Sequence, residues 1–262
     1  MGRRSAWKKP GDCEMMDAIP FVDSHIHLYE FSVTDLRKLC ENGYVMLAVS
    51  DDIPSSFKTI EIAKRCRGVV PAIGIHPWSI RGEVDVKPLT DVIYGGSVRF
   101  LGEIGLDKLF TPETFEIQLK VFKEFVELAE IYKLGISIHA PNAWKEVLGV
   151  LRKSGVRVAI FHWYTGPIDL LKEVVDEGYY VGVNVAAKVQ KKHAEVIRAV
   201  PMERLVTESD GPYKYKGMLL EPSLLPELVS LIANIKGLSE GDVKMIVWSN
   251  FSKILKAVGA SV

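Results

Sequence analysis

Residues 21–30 read "FVDSHIHLYE", an apolar run that ends by setting two histidines one residue apart. Side chains of a strand alternate between faces, so residues two apart point the same way. Asp23, His25 and His27 therefore share a face. Two adjacent imidazoles fill a core poorly and hold a cation well.

The run has seven successors: "YVMLAVS" (44–50), "VVPAIGIH" (69–76), "VRFLGEIG" (98–105), "LGISIHA" (134–140), "VRVAIFHW" (156–163), "YYVGVNV" (179–185) and "RLVTESD" (204–210). They recur about every 26 residues, the spacing of a βα unit. The segments between them have helical periodicity. In residues 112–133 the spacing predicts an apolar stripe of Phe115, Leu119, Phe122, Val126 and Leu128. Near-continuous apolar strands belong to a parallel sheet covered by helices. Eight such units predict an α/β fold, a (β/α)8 TIM-type barrel in a single domain over residues 18–262; the alternative is an open doubly wound sheet. Residues 1–17 read as a disordered lead-in, with Met15 or Met16 a candidate natural start.

Charge excludes one class of function and leaves others open. The 262 residues carry 33 Lys and Arg against 33 Asp and Glu, so no global basic field marks a nucleic-acid binder. Any such binding is local, weak and strongly salt-sensitive. The basic start has no apolar run behind it and no stretch nears 18 apolar residues, so neither a signal peptide nor a membrane span is expected. Cys13, Cys40 and Cys66 form no CxxC pair. Cys40 and Cys66 read as small apolar residues rather than a disulfide, which fits a reducing cytoplasm.

Five of the six histidines fall at C-terminal strand ends: His25, His27, His76, His139 and His162. The sixth, His193, lies in the basic run "KVQKKHAEV" and reads as a surface residue. Glu103 in "GEIG" and Glu208 and Asp210 in "TESDGP" stand at the same level. In a (β/α)8 barrel those ends converge on one mouth, where active sites sit. Each residue alone has a structural explanation, but together they would crowd polar groups into one cavity. The donors are nitrogen and oxygen with no sulfur, which suits Zn, Mn, Co or Fe, with Mg not excluded. Six donors exceed the need of one tetrahedral ion. Two divalent ions bridged by a carboxylate would lower the pKa of a water and clamp an in-line displacement, so hydrolysis is the expected chemistry.

The stretches "DSHIHL", "GIHPW", "GEIGLD", "ISIHA", "FHWYTG" and "TESDGPY", in this order, resemble the TatD family of metal-dependent deoxyribonucleases among the amidohydrolase-like barrels. The resemblance spans roughly residues 20–258. It implies His25, His27, Glu103 and Asp210 around one ion, with Glu103 bridging to a second ion held by His139 and His162. Asp210 would also hold or deprotonate the attacking water. Glu208 would support a ligand through a hydrogen bond, and His76 would contact phosphate or act as an extra ligand. The implied substrate is single-stranded DNA, trimmed from its 3′ end, with no membrane or protein partner indicated. The alternatives are a small-molecule ester or amide hydrolase and a non-catalytic scaffold.

Strand 4 presents Glu103 and no lysine, which separates the chain from relatives that bridge their metals through a carbamoylated lysine. Trp78 and Trp163, with Tyr164, Tyr213 and Tyr215, are candidate base-stacking residues at the mouth. One departure bears on substrate. The family's H-x-R-D-A after strand 5 is here "HAPNA", with Pro141 and Asn142 in place of Arg-Asp. A phosphate contact would then fall to another cation, such as Lys108 or Lys214, or the substrate differs.

Overall fold

The computed structural model describes residues 19–262. The lead-in expected over residues 1–17 lies outside them. Eight parallel strands run in sequence order around the barrel: β1 (Val22–Ile26), β2 (Val45–Ala48), β3 (Val69–Ile73), β4 (Phe100–Gly105), β5 (Gly135–His139), β6 (Ala159–Phe161), β7 (Tyr180–Val183) and β8 (Leu205–Thr207). Helices follow each in turn: α1 (Val33–Glu41), α2 (Ile53–Arg65), α3 (Lys87–Tyr94), α4 (Phe115–Tyr132), α5 (Trp144–Leu151), α6 (Ile168–Asp176), α7 (Lys191–Ala199) and α8 (Leu225–Lys236); α9 (Glu240–Val258) completes the chain. A hairpin of β9 (Tyr213–Tyr215) and β10 (Met218–Leu220) rises from the loop after β8. All eight predicted strands are present, and the open-sheet alternative is excluded.

The strands pair β1 through β8 in an unbroken row. The seam between β8 and β1 is sewn by single bonds. The amide of Asp210 donates to the carbonyl of His25 at 3.0 Å, and that of His27 to the carbonyl of Gly211 at 2.8 Å. Thr207 Oγ1 donates to the Val22 carbonyl at 2.6 Å. Below the mouth, Ser209 N donates to buried Asp23 at 2.8 Å. Burial pushes the Asp23 carboxyl up to about 7.

Three expectations need correction. The buried face of α4 is Gln118, Val121, Phe122, Phe125, Val126 and Ala129. Phe122 and Val126 belong to the predicted stripe, while Phe115, Leu119 and Leu128 are only partly covered. The helix presents a face rotated toward Phe125, and Gln118 on that face binds a loop described below.

His193 is fully buried. Its Nδ1–H donates to the Tyr164 carbonyl at 3.1 Å, and Nε2 accepts from Asn184 N at 2.9 Å. The lysines around it face outward on α7 while the histidine turns in.

Cys40 and Cys66 are joined in a disulfide across 26 residues. They sit on neighbouring βα units, within a satellite cluster that includes Ile26, Leu28, Met46 and Val69. Spacing in sequence carries no sign of that adjacency. The bond also removes the ground on which cysteine usage favoured a reducing compartment. No helix among the described residues is long and apolar enough to cross a membrane.

Candidate metal centre

The predicted residues meet at the C-terminal mouth. His25 lies in β1, Glu103 in β4 and His139 ends β5. His162 follows β6 directly, and Asp210 stands three residues past β8. His27 has left the strand and precedes a single 3-10 turn, Leu28–Glu30. All are buried except His27, which is half-buried.

Glu103 is the centre of the arrangement. Its Oε2 lies 3.1 Å from His25 Nε2 and 3.4 Å from His27 Nε2. Its Oε1 lies 2.7 Å from His139 Nδ1 and 3.3 Å from His76 Nε2. Asp210 Oδ1 faces Nε2 of His27, His162 and His25 at 3.5, 3.6 and 3.7 Å. The structure brings His76 into the cluster beside His139 and Glu103, and sets His162 with His25 and Glu103. The rings of His25 and His162 stack, centroids 3.6 Å apart. No group of three such donors contains both His139 and His162; the His139 ring has Nε2 on Asp107 and Nδ1 toward Glu103.

Every ligand-type histidine has an outer partner. His25 Nδ1 meets Ser137 Oγ at 2.8 Å, and His139 Nε2 meets Asp107 Oδ2 at 2.9 Å. His27 Nδ1 faces Asp51 Oδ1 at 3.2 Å, and His162 Nδ1 faces Glu208 Oε1 at 3.0 Å. Such carboxylate–histidine pairs fix ring orientation and raise basicity toward a metal. The partners are anchored in turn. Tyr29 donates to Asp51 at 2.7 Å, and Trp163 N donates to Glu208 at 2.8 Å. Asp107 accepts from the amides of Leu109 and Phe110, and Gln118 Oε1 accepts from the Asp107 amide at 2.7 Å. Asp51, Asp107 and Ser137 were not singled out from sequence. Asp51 and Asp107 stand just after β2 and β4, so the position of polar residues at strand ends was the available signal.

Burial works against every charge in this cluster. For Glu103 the imidazoles of His76, His25 and His139 outweigh it and hold the carboxyl well below its usual range. His162, His27 and His25 do the same for Asp210. Burial would lower His162, yet Glu208 and Asp210 lift it to about 9. His27 and His139 also rise against burial, through their carboxylate neighbours. Among the described residues, no lysine or arginine lines the cavity. His25 and His76 fall instead, because burial outweighs their carboxylate neighbours; a divalent cation would supply countercharge to the carboxylates.

The donors fit such a cation. Four groups of three His, Asp and Glu donors each lie within 4.8 Å of one another. Contacts of 3.4–3.7 Å between His27, His162, His25, Glu103 and Asp210 are long for hydrogen bonds. They match the edge of about 3.4 Å between two donors each about 2.1 Å from one ion. The cluster is able to bind metal.

The backbone of two site residues is unusual. Asp210 and Trp163 have φ of 60° and 38°. Left-handed conformations in non-glycine residues gather at functional sites, and for Trp163 no local side-chain bond eases it.

The family model described as TatD-related DNase matches residues 22–256. An uncharacterized metal-dependent hydrolase of Methanocaldococcus jannaschii is 25% identical over 251 residues, covering 92% of this chain and 99% of its own. One from Bacillus subtilis is 27% identical over 250 residues, covering 89% and 98%. Among solved structures, a TatD homologue from Escherichia coli superposes with a TM-score of 0.80 at 20% identity, covering 89% of this chain and 97% of that one. It bears out the barrel. With its mouth of histidines and carboxylates, the chain belongs to the TatD-related DNase family of metal-dependent hydrolases.

Proposed function

We propose that the chain is a phosphodiesterase that removes nucleotides from the 3′ end of single-stranded DNA, using two divalent ions. The observation that carries this reading is the division of Glu103, whose two carboxylate oxygens face different histidines. Glu103 Oε2 with His25, His27 and Asp210 would hold one ion. Glu103 Oε1 with His139 and His76 would hold the second, while His162, expected beside His139, groups with His25 and Glu103 on the side of the first. When bound, such ions polarise the phosphoryl oxygen and lower the pKa of water.

The chain's own groups do the rest. Asp210, kept ionised, accepts a proton from the attacking water at Oδ2, the oxygen that does not face the histidines. The water oxygen bonds to phosphorus, the P–O3′ bond breaks, and the proton passes to the departing 3′ oxygen. Asp51, Asp107, Ser137 and Glu208 keep the four rings aimed. Trp78 and Trp163, which line the cavity, contact the substrate.

The test is nucleotide release from labelled single-stranded DNA with added Mg or Mn, wild type against Glu103→Ala. Loss of the shared ligand is expected to lower the rate by orders of magnitude, and chelation to abolish it. Equal rates would assign the activity to a contaminant. A second reading, hydrolysis of a small ester or amide, draws support from a cavity lining without lysine or arginine among the described residues. It would take over if metal-loaded wild type left DNA intact.

A further inference from the structure

The cavity above the cluster holds about 260 Å³ and is walled by rings. Trp78 and Phe110 meet edge to face in one ring cluster, centroids 5.3 Å apart. In a second cluster Trp163 stands against Tyr215 and Tyr213 at 5.1 and 6.1 Å. Both indoles are locked from behind. Trp78 Nε1 donates to Asp107 at 2.6 Å, and Trp163 Nε1 to Gln190 at 2.8 Å. Rings held this way lose little freedom when a ligand stacks on them.

The cations offered by the sequence are engaged elsewhere or outside. Lys108 Nζ pairs with Glu146 at 2.5 Å and covers the Phe115 ring. Lys188 pairs with Glu227, and Lys216 lies over the Tyr215 ring. Lys214 is exposed on β9, outside the lining. The titratable groups that line it are the carboxylates Glu30, Asp51, Glu103 and Asp210 and the histidines of the metal cluster, with no Lys or Arg among the described residues. A strand tracked by its phosphates needs a run of Lys or Arg. Outside the metal cluster the lining offers no such cation for a second phosphate, while its rings attract the face of an uncharged base.

Resting on the phosphodiesterase reading, we infer that the cavity is a subsite for a single unpaired nucleobase. The terminal base enters between the Trp78–Phe110 wall and the Trp163–Tyr213–Tyr215 wall, and stacking replaces phosphate contacts in recognising the end. The substrate class is then a terminal nucleotide ester, with little benefit from added length. Salt dependence is correspondingly shallow, contrary to the strong sensitivity expected from composition.

The experiment compares two labelled single strands, one ending in an ordinary nucleotide and one in an abasic nucleotide. Wild type is expected to favour the base-bearing end by at least about 5-fold in kcat/KM, the low end of stacking one base. Phe110→Ala with Tyr213→Ala, both at exposed rim positions, should collapse that ratio toward 1. Raising NaCl from about 50 to about 200 mM should lower kcat/KM less than about 10-fold, where 6–10 phosphate contacts would cost about 10³–10⁵. Equal cleavage of both ends by wild type, or a ratio untouched by the double variant, overturns the subsite. If wild type cleaves neither strand, the phosphodiesterase reading is what has failed. Tryptophan fluorescence with deoxyadenosine then decides the subsite: saturable quenching lost in the double variant supports it, and no quenching overturns it.

Discussion

The indole Nε1 of Trp78 and the imidazole Nε2 of His139 converge on one oxygen, Oδ2 of Asp107, at 2.6 and 2.9 Å. A wall of the cavity and a donor of the metal cluster thus share a carboxylate. Asp107→Asn would keep the shape and lose the charge, so His139 should ligate less well. Metal affinity is expected to fall about 10- to 100-fold. Competition with a chelating dye measures it, and an unchanged affinity would remove Asp107 from the positioning role.

Gly182 makes room for Glu208. A Cβ at residue 182 would stand 1.9 Å from Glu208 Oε2. Gly182→Ala must displace that carboxylate from His162, costing about 1–3 kcal/mol of stability from overpacking and about 10-fold or more in metal affinity. Glu208→Gln should reproduce the affinity loss with less effect on melting. Normal metal binding by Gly182→Ala would mean Glu208 is not needed there.

His193 predicts a pH effect. Burial holds its ring neutral down to about 4, against an ordinary value of 6.5, and a proton on Nε2 would break the bond from Asn184 N. Between those values the unfolded chain binds a proton that the folded chain refuses. The contribution is therefore full above pH 6.5 and lost progressively as pH falls toward 4, up to about 3 kcal/mol. Denaturant unfolding of wild type and His193→Gln at several pH values checks it: wild type should show the steeper loss, and parallel curves would refute it.

The disulfide makes a separate claim on stability. Helix α1 contributes no fully buried side chain, so the bond from Cys40 to Cys66 is its firmest attachment. Closing a loop of 26 residues stabilises by about 3 kcal/mol through the unfolded chain. Cys40→Ser is expected to lose about that much in urea under oxidising conditions. A midpoint equal to wild type would show that the covalent link contributes nothing.

Much of this was legible in the chain itself, for a physical reason. A barrel strand advertises itself as a short apolar run, and its site residues must follow directly at its end, so His25, His76, Glu103, His139, His162 and Asp210 could be located by register alone. What stayed hidden depends on which elements become neighbours. Cys40 and Cys66 carry no pairing signal until two helices lie side by side. His193 looks exposed beside its lysines until Tyr164 and Asn184 close over it. His76 groups with His139 and His162 with His25, and periodicity says nothing about how rings are turned within the mouth.

The seam of the barrel ties construction to capture. Bonds joining the first and last strands span as many as 186 residues, from Ser209 to Asp23, and the same crossing brings Asp210 to His25. Contacts so distant in sequence form slowly, after the intervening chain has ordered. A growing polypeptide that has not yet delivered β8 holds His25 and Glu103 without Asp210. The bonds that close the ring and the carboxylate that faces His25 therefore arrive together, in the short segment 207–210.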